Sequence, residues 1–180
     1  MSNAKVMGID LSLTSTGIAL ASEGTIVGLT RIQTTGKRAD TLVQRQNRLY
    51  GITMKIRDLV HTYSPDLVVI ESPSYGSQHG SQHDRSGLWW LVVDRIISNG
   101  TLLATVTPNG RAKYATGKGN ASKDAVLAAV VKRYPEVEVT GNDVADAVVL
   151  AAMGSRYLGY AGDCPPQANL DAMVGASWPT

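Results

Sequence analysis

The stretch "VMGIDLSLTSTGIALAS", residues 6–22, places an acid where a buried strand should hold none. Two short apolar runs, Val6–Ile9 and Ile18–Ala21, predict two strands, and the polar "SLTSTG" segment before the second run predicts a tight turn. Asp10 closes the first run, and a charge beside a core is costly unless another group neutralises it. What neutralises Asp10 is therefore the question that the sequence raises first.

The sequence on either side of this stretch predicts a mixed α/β fold. Alternating or continuous apolar runs of strand length predict strands at residues 5–10, 15–22, 25–34, 66–72 and 102–106. Apolar residues at helical spacing predict helices at residues 42–64, 88–97, 122–134 and 142–160. Residues 73–87 show no periodicity and are expected to form a loop. This order predicts a sheet that is antiparallel over its first three strands, parallel afterwards, and flanked by helices.

The composition is that of a soluble globular protein. Of the 180 residues, 43% are hydrophobic and 18% are charged, and no apolar run approaches the roughly 20 residues that span a bilayer. We expect one domain over residues 1–160, followed by an irregular, proline-containing tail at 161–180. The single cysteine, Cys164, excludes an internal disulfide and favours a reducing, cytoplasmic location.

Positive charge is concentrated in one segment of the chain. Residues 111–133 contain a single acid, Asp124, and six basic residues: Arg111, Lys113, Lys118, Lys123, Lys132 and Arg133. Solvated helix faces are the simpler explanation for any one such run. The alternative is a surface that binds nucleic acid, because phosphate contacts dominate the affinity of such surfaces.

Four acids are expected to meet at one edge of the sheet. Asp10 ends the first strand, and Glu71 ends the "LVVIE" strand that can pair parallel to it. Asp143 and Asp146 lie three residues apart in the first turn of the last predicted helix, so they share one face. Each acid alone could be a turn or helix cap. Four together require neutralisation, and hard oxygen ligands select Mg²⁺ or Mn²⁺.

Four sequence segments resemble one family of nucleases. The segments "GIDLSLTSTGIAL", "VVIESP", "GNASK" and "NDVADAVVLAA" are similar, in order and spacing, to the four motif regions of RuvC-type Holliday junction resolvases. The resemblance covers about residues 5–158 and implies the ribonuclease-H-like fold. It also implies a Mg²⁺-dependent endonuclease that works as a homodimer and nicks a four-way DNA junction symmetrically. Small RuvC-like proteins of this type are common in bacteriophages.

The resemblance assigns roles to individual residues. It implies that the metal ligands are Asp10, Glu71, Asp143 and Asp146. From the chemistry of carboxylate clusters we expect these acids to hold two Mg²⁺ ions per site, with Mn²⁺ as a substitute. It further implies that the family's two functional lysines correspond to Lys123, in "ASK", and to Lys113. From the basic segment and the loop that follows Glu71, we expect DNA contacts from the side chains of Arg111, Lys113, Lys118 and Tyr75.

The sequence also departs from the bacterial pattern, and other functions remain open. Leu11 and Ser12 stand where that pattern has Pro-Gly, and Tyr75 is the only aromatic residue in the loop "SPSYGSQHGSQHDRSG". A related nuclease could act on flaps, forks or RNA precursors instead. "DLSLTSTG" also resembles the phosphate loop of actin-like ATPases, although those proteins need a second domain. A non-catalytic DNA-binding relative is disfavoured by the four acids.

The helix predicted within "GLWWLVVDRII", residues 87–97, bears on assembly. It carries more apolar residues than one helix face can bury against a sheet. We expect one of the adjacent residues Trp89 and Trp90 to enter the core and the other to lie in a two-fold dimer interface. The alternative is a central helix that is buried completely within one chain.

Overall fold

The computed structural model describes residues 3–73 and 81–180, which form a five-stranded mixed sheet with helices on both faces. The strands are β1 (Lys5–Asp10), β2 (Ser15–Ser22), β3 (Thr25–Gln33), β4 (Leu67–Glu71) and β5 (Leu102–Val106). Their order across the sheet is β3-β2-β1-β4-β5. The pairs β1–β2 and β2–β3 are antiparallel, whereas β1–β4 and β4–β5 are parallel. The predicted mixed α/β architecture is confirmed.

Within the described residues, six helices and one 3-10 helix accompany the sheet. They are α1 (Leu42–Tyr63), α2 (Gln82–Ser98), α3 (Pro108–Thr116), α4 (Lys123–Arg133), α5 (Asn142–Tyr157), α6 (Gln167–Leu170) and the 3-10 helix Asp171–Gly175. Side chains cap several of them. Thr41 and Gln44 form a capping box at the start of α1, and Ser122 accepts the Ala125 N–H at the start of α4. These caps explain why the helices begin where polar residues precede apolar ones.

Before residue 160, helix positions differ from the sequence-based prediction chiefly in two places. Helix α3 was not predicted, because its residues show almost no amphipathic pattern. Its ends are marked by local signals: Thr107 caps its start, Pro108 is its first residue, and Gly117 ends it in the left-handed conformation, with φ 82°. α2 begins at Gln82 rather than at residue 88, so the prediction of a loop through residue 87 is wrong from Gln82 onward. Arg45 of α1 forms two hydrogen bonds with Asp84 in this polar first turn.

The sheet separates two hydrophobic clusters. Strand residues alternate between them, as the pleat requires: in β4, Leu67 and Val69 belong to one cluster and Val68 and Ile70 to the other. One face is covered by α1 and α2, through residues such as Ile56. The other face is covered by α3, α4 and α5 together with the chain after residue 160.

Helix α5 lies unusually close to the sheet, because two strand glycines face it. A Cβ on Gly17 would lie 2.0 Å from the carbonyl oxygen of Asp143, and one on Gly8 would lie 2.2 Å from that of Ala147. No side chain fits in such a space. These glycines therefore allow the first turn of α5 to reach the carboxyl end of β1.

Residues 161–180, predicted as an irregular tail, contain α6 and the 3-10 helix and pack against the rest of the chain. Asp163 is buried and accepts hydrogen bonds from Tyr114, Tyr134 and Arg156. Ser177 forms a short antiparallel bridge with Thr105 of β5. The division of the chain at residue 160 stays a prediction.

In the described part of the chain, no helix is long and apolar enough to cross a membrane.

Candidate active site

Two acidic strand ends lie side by side at one edge of the sheet. Ile9 pairs with Ile70 in the parallel β1–β4 ladder, so Asp10 and Glu71 follow at corresponding positions. The first turn of α5 reaches the same edge and contributes Asp143. These three acids and Lys123 line a cleft of about 790 Å³, which is bounded on its other sides by residues of the β1–β2 turn and the start of α2.

Asp10 is surrounded by charges of both signs. Burial raises the pKa of its carboxyl group to about 7, and the negative charges of Asp146 and Glu71 act in the same direction. The positive charges of Arg111 and Lys123 lower the pKa of Asp10 but do not cancel these effects. Among the described residues, none donates a hydrogen bond to the Asp10 carboxylate.

Arg111 lies inside the group of acids. Its Nε donates to Glu71 Oε2 at 2.5 Å and its Nη1 donates to Asp146 Oδ1. The arginine side chain is 8% exposed and that of Asp146 is 3% exposed. Burial raises the pKa of Asp146 to about 6 although the charge of Arg111 opposes this. Arg111 was predicted to contact DNA from the surface; the structure instead buries it between two of the predicted metal ligands.

Asp143 is held by a second arginine. Arg31 of β3 contacts both carboxylate oxygens, at 2.6 and 2.7 Å, and the Ser15 hydroxyl donates to Oδ2. Burial alone would raise the pKa of Asp143, but the hydrogen bonds from Ser15, Arg31 and the Val144 N–H outweigh it and lower the pKa. Asp143 is therefore ionised and fixed in orientation.

Lys123 and Trp89 complete the cleft. Lys123 is the first residue of α4, exposed at the cleft edge, and its charge acts on both Asp10 and Asp146. The indole N–H of Trp89 donates to the carbonyl oxygen of Glu71 at 3.1 Å, which fixes α2 against the end of β4. Trp89 is half-buried, while the adjacent Trp90 is 65% exposed.

The remaining predicted contact residues lie elsewhere. Lys118 is exposed in the loop after α3, and Lys113 is half-buried on α3 itself. Arg133, at the far end of the basic segment, donates to the carbonyl oxygens of Tyr114 and Ala115 and so stabilises the fold. Tyr75 lies outside the described residues.

The acids fit a hard cation by chemistry, but arginines already hold some of their oxygens. Carboxylate oxygens are the ligands that Mg²⁺ prefers in proteins, and Asp10 offers a carboxylate with no hydrogen bond from the described residues. Within residues 3–73 and 81–180, however, no group of three or more His, Cys, Asp or Glu side chains is arranged to hold a metal ion. Asp143 pairs there with Arg31, and Glu71 and Asp146 pair with Arg111.

Sequence reasoning did not find the two arginines that pair with the acids. Arg31 belongs to an exposed-looking strand, and Arg111 belongs to a basic run that is typical of a solvated surface. The pairing of Arg31 depends on Asp143, 112 positions away, and that of Arg111 on Glu71, 40 positions away. No local pattern indicates partners at such separations.

Known proteins share this architecture. The structure of Thermus thermophilus RuvC is similar with a TM-score of 0.68 and 19% identity, over 89% of this chain and 99% of that one. T. thermophilus RuvC in complex with a Holliday junction substrate is similar with a TM-score of 0.66 and 15% identity, over the same shares of the two chains. The sheet order and the helices on both faces thus define an α/β protein with the ribonuclease-H-like fold.

The family is shown by the sequence itself. The model of the family described as crossover junction endodeoxyribonuclease RuvC matches residues 6–153. The crossover junction endodeoxyribonuclease RuvC of Mycobacterium ulcerans is 27% identical over 148 residues, which are 82% of this chain and 80% of that protein. The chain belongs to the RuvC family and is an endonuclease. The predicted resemblance is confirmed.

Proposed function

We propose that this endonuclease resolves four-way DNA junctions by paired, symmetric nicks. The observation that carries the proposal is the group of Asp10, Glu71 and Asp146 at one sheet edge, where the charges of Glu71 and Asp146 raise the pKa of Asp10. Asp10, Glu71 and Lys123 line an open cleft there. Perturbed carboxylates in a cleft indicate a functional site rather than a set of helix caps. The RuvC family match covers all four acids.

Members of this family are divalent-metal-dependent nucleases, and we propose Mg²⁺, with Mn²⁺ as a substitute, at these acids. When bound, such ions lower the pKa of a water molecule and stabilise charge on the leaving oxygen. The residues that would hold them are Asp10, Glu71, Asp143 and Asp146. Two ions per site, the number expected from four carboxylates, would require Arg111 to release Glu71 and Asp146.

Other side chains of the site act on the substrate or position the acids. Lys123 directs an ammonium group to the cleft, where it compensates charge that develops on the scissile phosphate. Arg31 and Ser15 hold Asp143 in one orientation, so that no free energy is spent in ordering it when DNA binds. Trp89 fixes the backbone of Glu71.

The duplex arms would bind to basic side chains of α3, of the loop after it and of the start of α4. Lys118 and Lys123 are exposed and Lys113 is half-exposed, so all three can contact phosphates. Arg111 is excluded from this role by its burial. We also propose that Tyr75, which precedes α2 in the sequence, stacks on an unpaired base at the junction centre.

A homodimer would place two such sites on one junction. Helix α2 buries Leu88, Val92 and Ile96 in the core but leaves Trp90 65% exposed and Ile97 59% exposed. The helix is therefore not buried completely within one chain. Trp90 and Ile97 lie seven positions apart in the helix and so share one face. Exposed apolar residues of this kind suit the centre of a two-fold interface. Analytical ultracentrifugation at micromolar protein without DNA would detect the dimer, and a monomer under these conditions would contradict it.

The function is tested by cleavage of defined substrates. Purified protein is incubated with Mg²⁺ and labelled four-way, three-way, flap and linear DNA, and the products are mapped on denaturing gels. We expect paired nicks at symmetric positions of the four-way junction. Asp10→Asn should bind the junction and leave it uncut, whereas Asp58→Asn, a change at an exposed acid on α1, should cut normally.

Two outcomes would contradict the proposal. Cleavage by Asp10→Asn with Mg²⁺ present would show that the catalytic site lies elsewhere. Equal or faster cleavage of flaps or forks would favour the alternative nuclease function.

A further inference from the structure

A second basic segment of the chain has no part in the function proposed above. Residues 31–57 contain seven of the 17 basic residues of the chain and one acid, Asp40. Four of these basic side chains are engaged by acids or by a backbone carbonyl oxygen: Arg31, Arg45, Arg48 and Arg57. Within residues 3–73 and 81–180, the other three, Lys37, Arg38 and Lys55, are exposed and form no ion pair with an acid. Lys55 belongs to α1, whereas Lys37 and Arg38 are neighbours in the loop between β3 and α1.

The end of β3 lies in one row with the acids of the cleft. Asp10 pairs with Gly17 of β2, and Gly17 pairs with Arg31 of β3. Neighbouring strands are about 4.8 Å apart, so the backbone of β3 passes about 10 Å from that of Asp10. Both β1 and β3 are antiparallel to β2, and they therefore finish at the same end of the sheet. The loop after β3 leaves the sheet beside the cleft.

Basic residues thus lie on two sides of the acids. Strands β3 and β5 form the opposite edges of the sheet, and β1 and β4, which carry Asp10 and Glu71, lie between them. Helix α3 and Lys118 follow β5, whereas Lys37 and Arg38 follow β3. A DNA strand that crosses the cleft from the side of α3 leaves it next to the loop after β3.

Hydrogen bonds tie this loop to the wall of the cleft. The Thr34 N–H donates to the carbonyl oxygen of Thr14 at 3.0 Å, and Thr14 lines the cleft. Arg48 of α1 donates to the Thr34 hydroxyl at 3.0 Å. The Asp40 carboxylate accepts the Lys37 N–H at 2.7 Å. These bonds order the loop before DNA binds, so less conformational entropy is lost on binding.

We propose that Lys37 and Arg38 bind phosphates of the junction on the side of the scissile phosphate that faces β3, opposite to the side contacted from α3. The inference rests on the proposed resolvase function. A nucleic-acid backbone fits these side chains, because two adjacent exposed cations without acid partners attract a row of phosphates and displace its counterions. Arg31 is excluded from this role, because Asp143 occupies its guanidinium group.

The first test measures the salt dependence of junction binding. The whole protein is titrated into labelled four-way junction at salt concentrations between about 50 and 200 mM, with EDTA to prevent cleavage, and affinity is measured by fluorescence anisotropy. Lys37→Gln and Arg38→Gln should each reduce the slope of log affinity against log salt concentration by about one, and the double variant by about two. Lys132→Gln is the control and should keep the wild-type slope, because this exposed lysine lies about 14 Å beyond Lys123 along α4.

The second test locates the contacted phosphates. A neutral methylphosphonate replaces one phosphate at a time around the mapped cleavage site, and the affinity of each junction is measured for the wild type and the variants. A variant that lacks the cation facing a given phosphate should be insensitive to the neutralisation of that phosphate. The insensitive positions of Lys37→Gln and Arg38→Gln should lie on one side of the scissile phosphate, and those of Lys118→Gln on the other.

The outcomes separate this inference from the proposed function. An unchanged salt slope for the folded double variant would overturn the inference, and so would insensitivity at the same phosphates as Lys118→Gln. Both results leave the proposed function intact, because the wild type still binds and cuts the junction. Absence of junction binding by the wild type would contradict the proposed function itself, and the inference with it.

Discussion

The substitution Asp10→Asn should abolish cleavage and at the same time stabilise the fold. The folded pKa of Asp10, about 7, lies above its ordinary value of 3.8. As pH rises between these values, the unfolded chain releases the proton while the folded chain retains it. The contribution of Asp10 to stability is therefore fully present below pH 4 and is lost as pH rises through 7.

The magnitude follows from these two pKa values. Relative to Asp10→Asn, which does not titrate, the wild type should lose about 2–3 kcal/mol of unfolding free energy between pH 5 and pH 8. The assay is urea unfolding of both proteins at these two pH values, with EDTA present so that no divalent ion binds. The difference between two pH values is used because it does not depend on any packing change that asparagine itself introduces.

The control is the same substitution at another buried aspartate. Asp163 is also buried, but it accepts hydrogen bonds from two tyrosines and one arginine. Asp163→Asn should lose about 3–5 kcal/mol of unfolding free energy, because it removes the buried negative charge that pairs with Arg156 and Arg133. The reasoning is refuted if Asp10→Asn is destabilised at pH 8, or if its advantage over the wild type is the same at pH 5 and pH 8.

Three further predictions concern packing, charge and substrate affinity. In the same urea assay, Gly17→Ala should lose about 3 kcal/mol or more of unfolding free energy, because its Cβ would lie 2.0 Å from the Asp143 carbonyl oxygen. Gly28→Ala is the control and should be tolerated, because its Cβ would lie 3.8 Å from the nearest atom. Lys123→Gln should slow single-turnover cleavage about 100-fold with little change in the melting temperature, because the residue is exposed; an unchanged rate would remove Lys123 from the site. Measured by fluorescence anisotropy, junction affinity should fall at least about tenfold between 50 and 200 mM salt. Lys118→Gln should reduce the slope of log affinity against log salt concentration by about one. An affinity that does not change with salt would contradict the proposed phosphate contacts.

Local sequence determined most of the elements and the place of the acids. The strands β1, β2, β4 and β5 follow from apolar runs of strand length, and the order of elements predicts their mixed sheet. Asp10 and Glu71 could be placed at one edge because each ends an apolar run, and the carboxyl ends of parallel strands meet. These inferences succeed because the period of a strand and the polarity of its last residue are local properties.

Tertiary structure alone decided what surrounds the acids. Helix α3 lacks an amphipathic pattern, and it forms because Thr107 and Gly117 cap its ends and the chain after residue 160 packs on it. From the sequence, Arg111 looks like one residue of an exposed basic segment. In the structure it is buried, and its charge is paired with Glu71 and Asp146, which lie 40 and 35 positions away in the chain. The free energy of a buried charge depends on its partners, and partners so distant in the chain are brought together only by the fold.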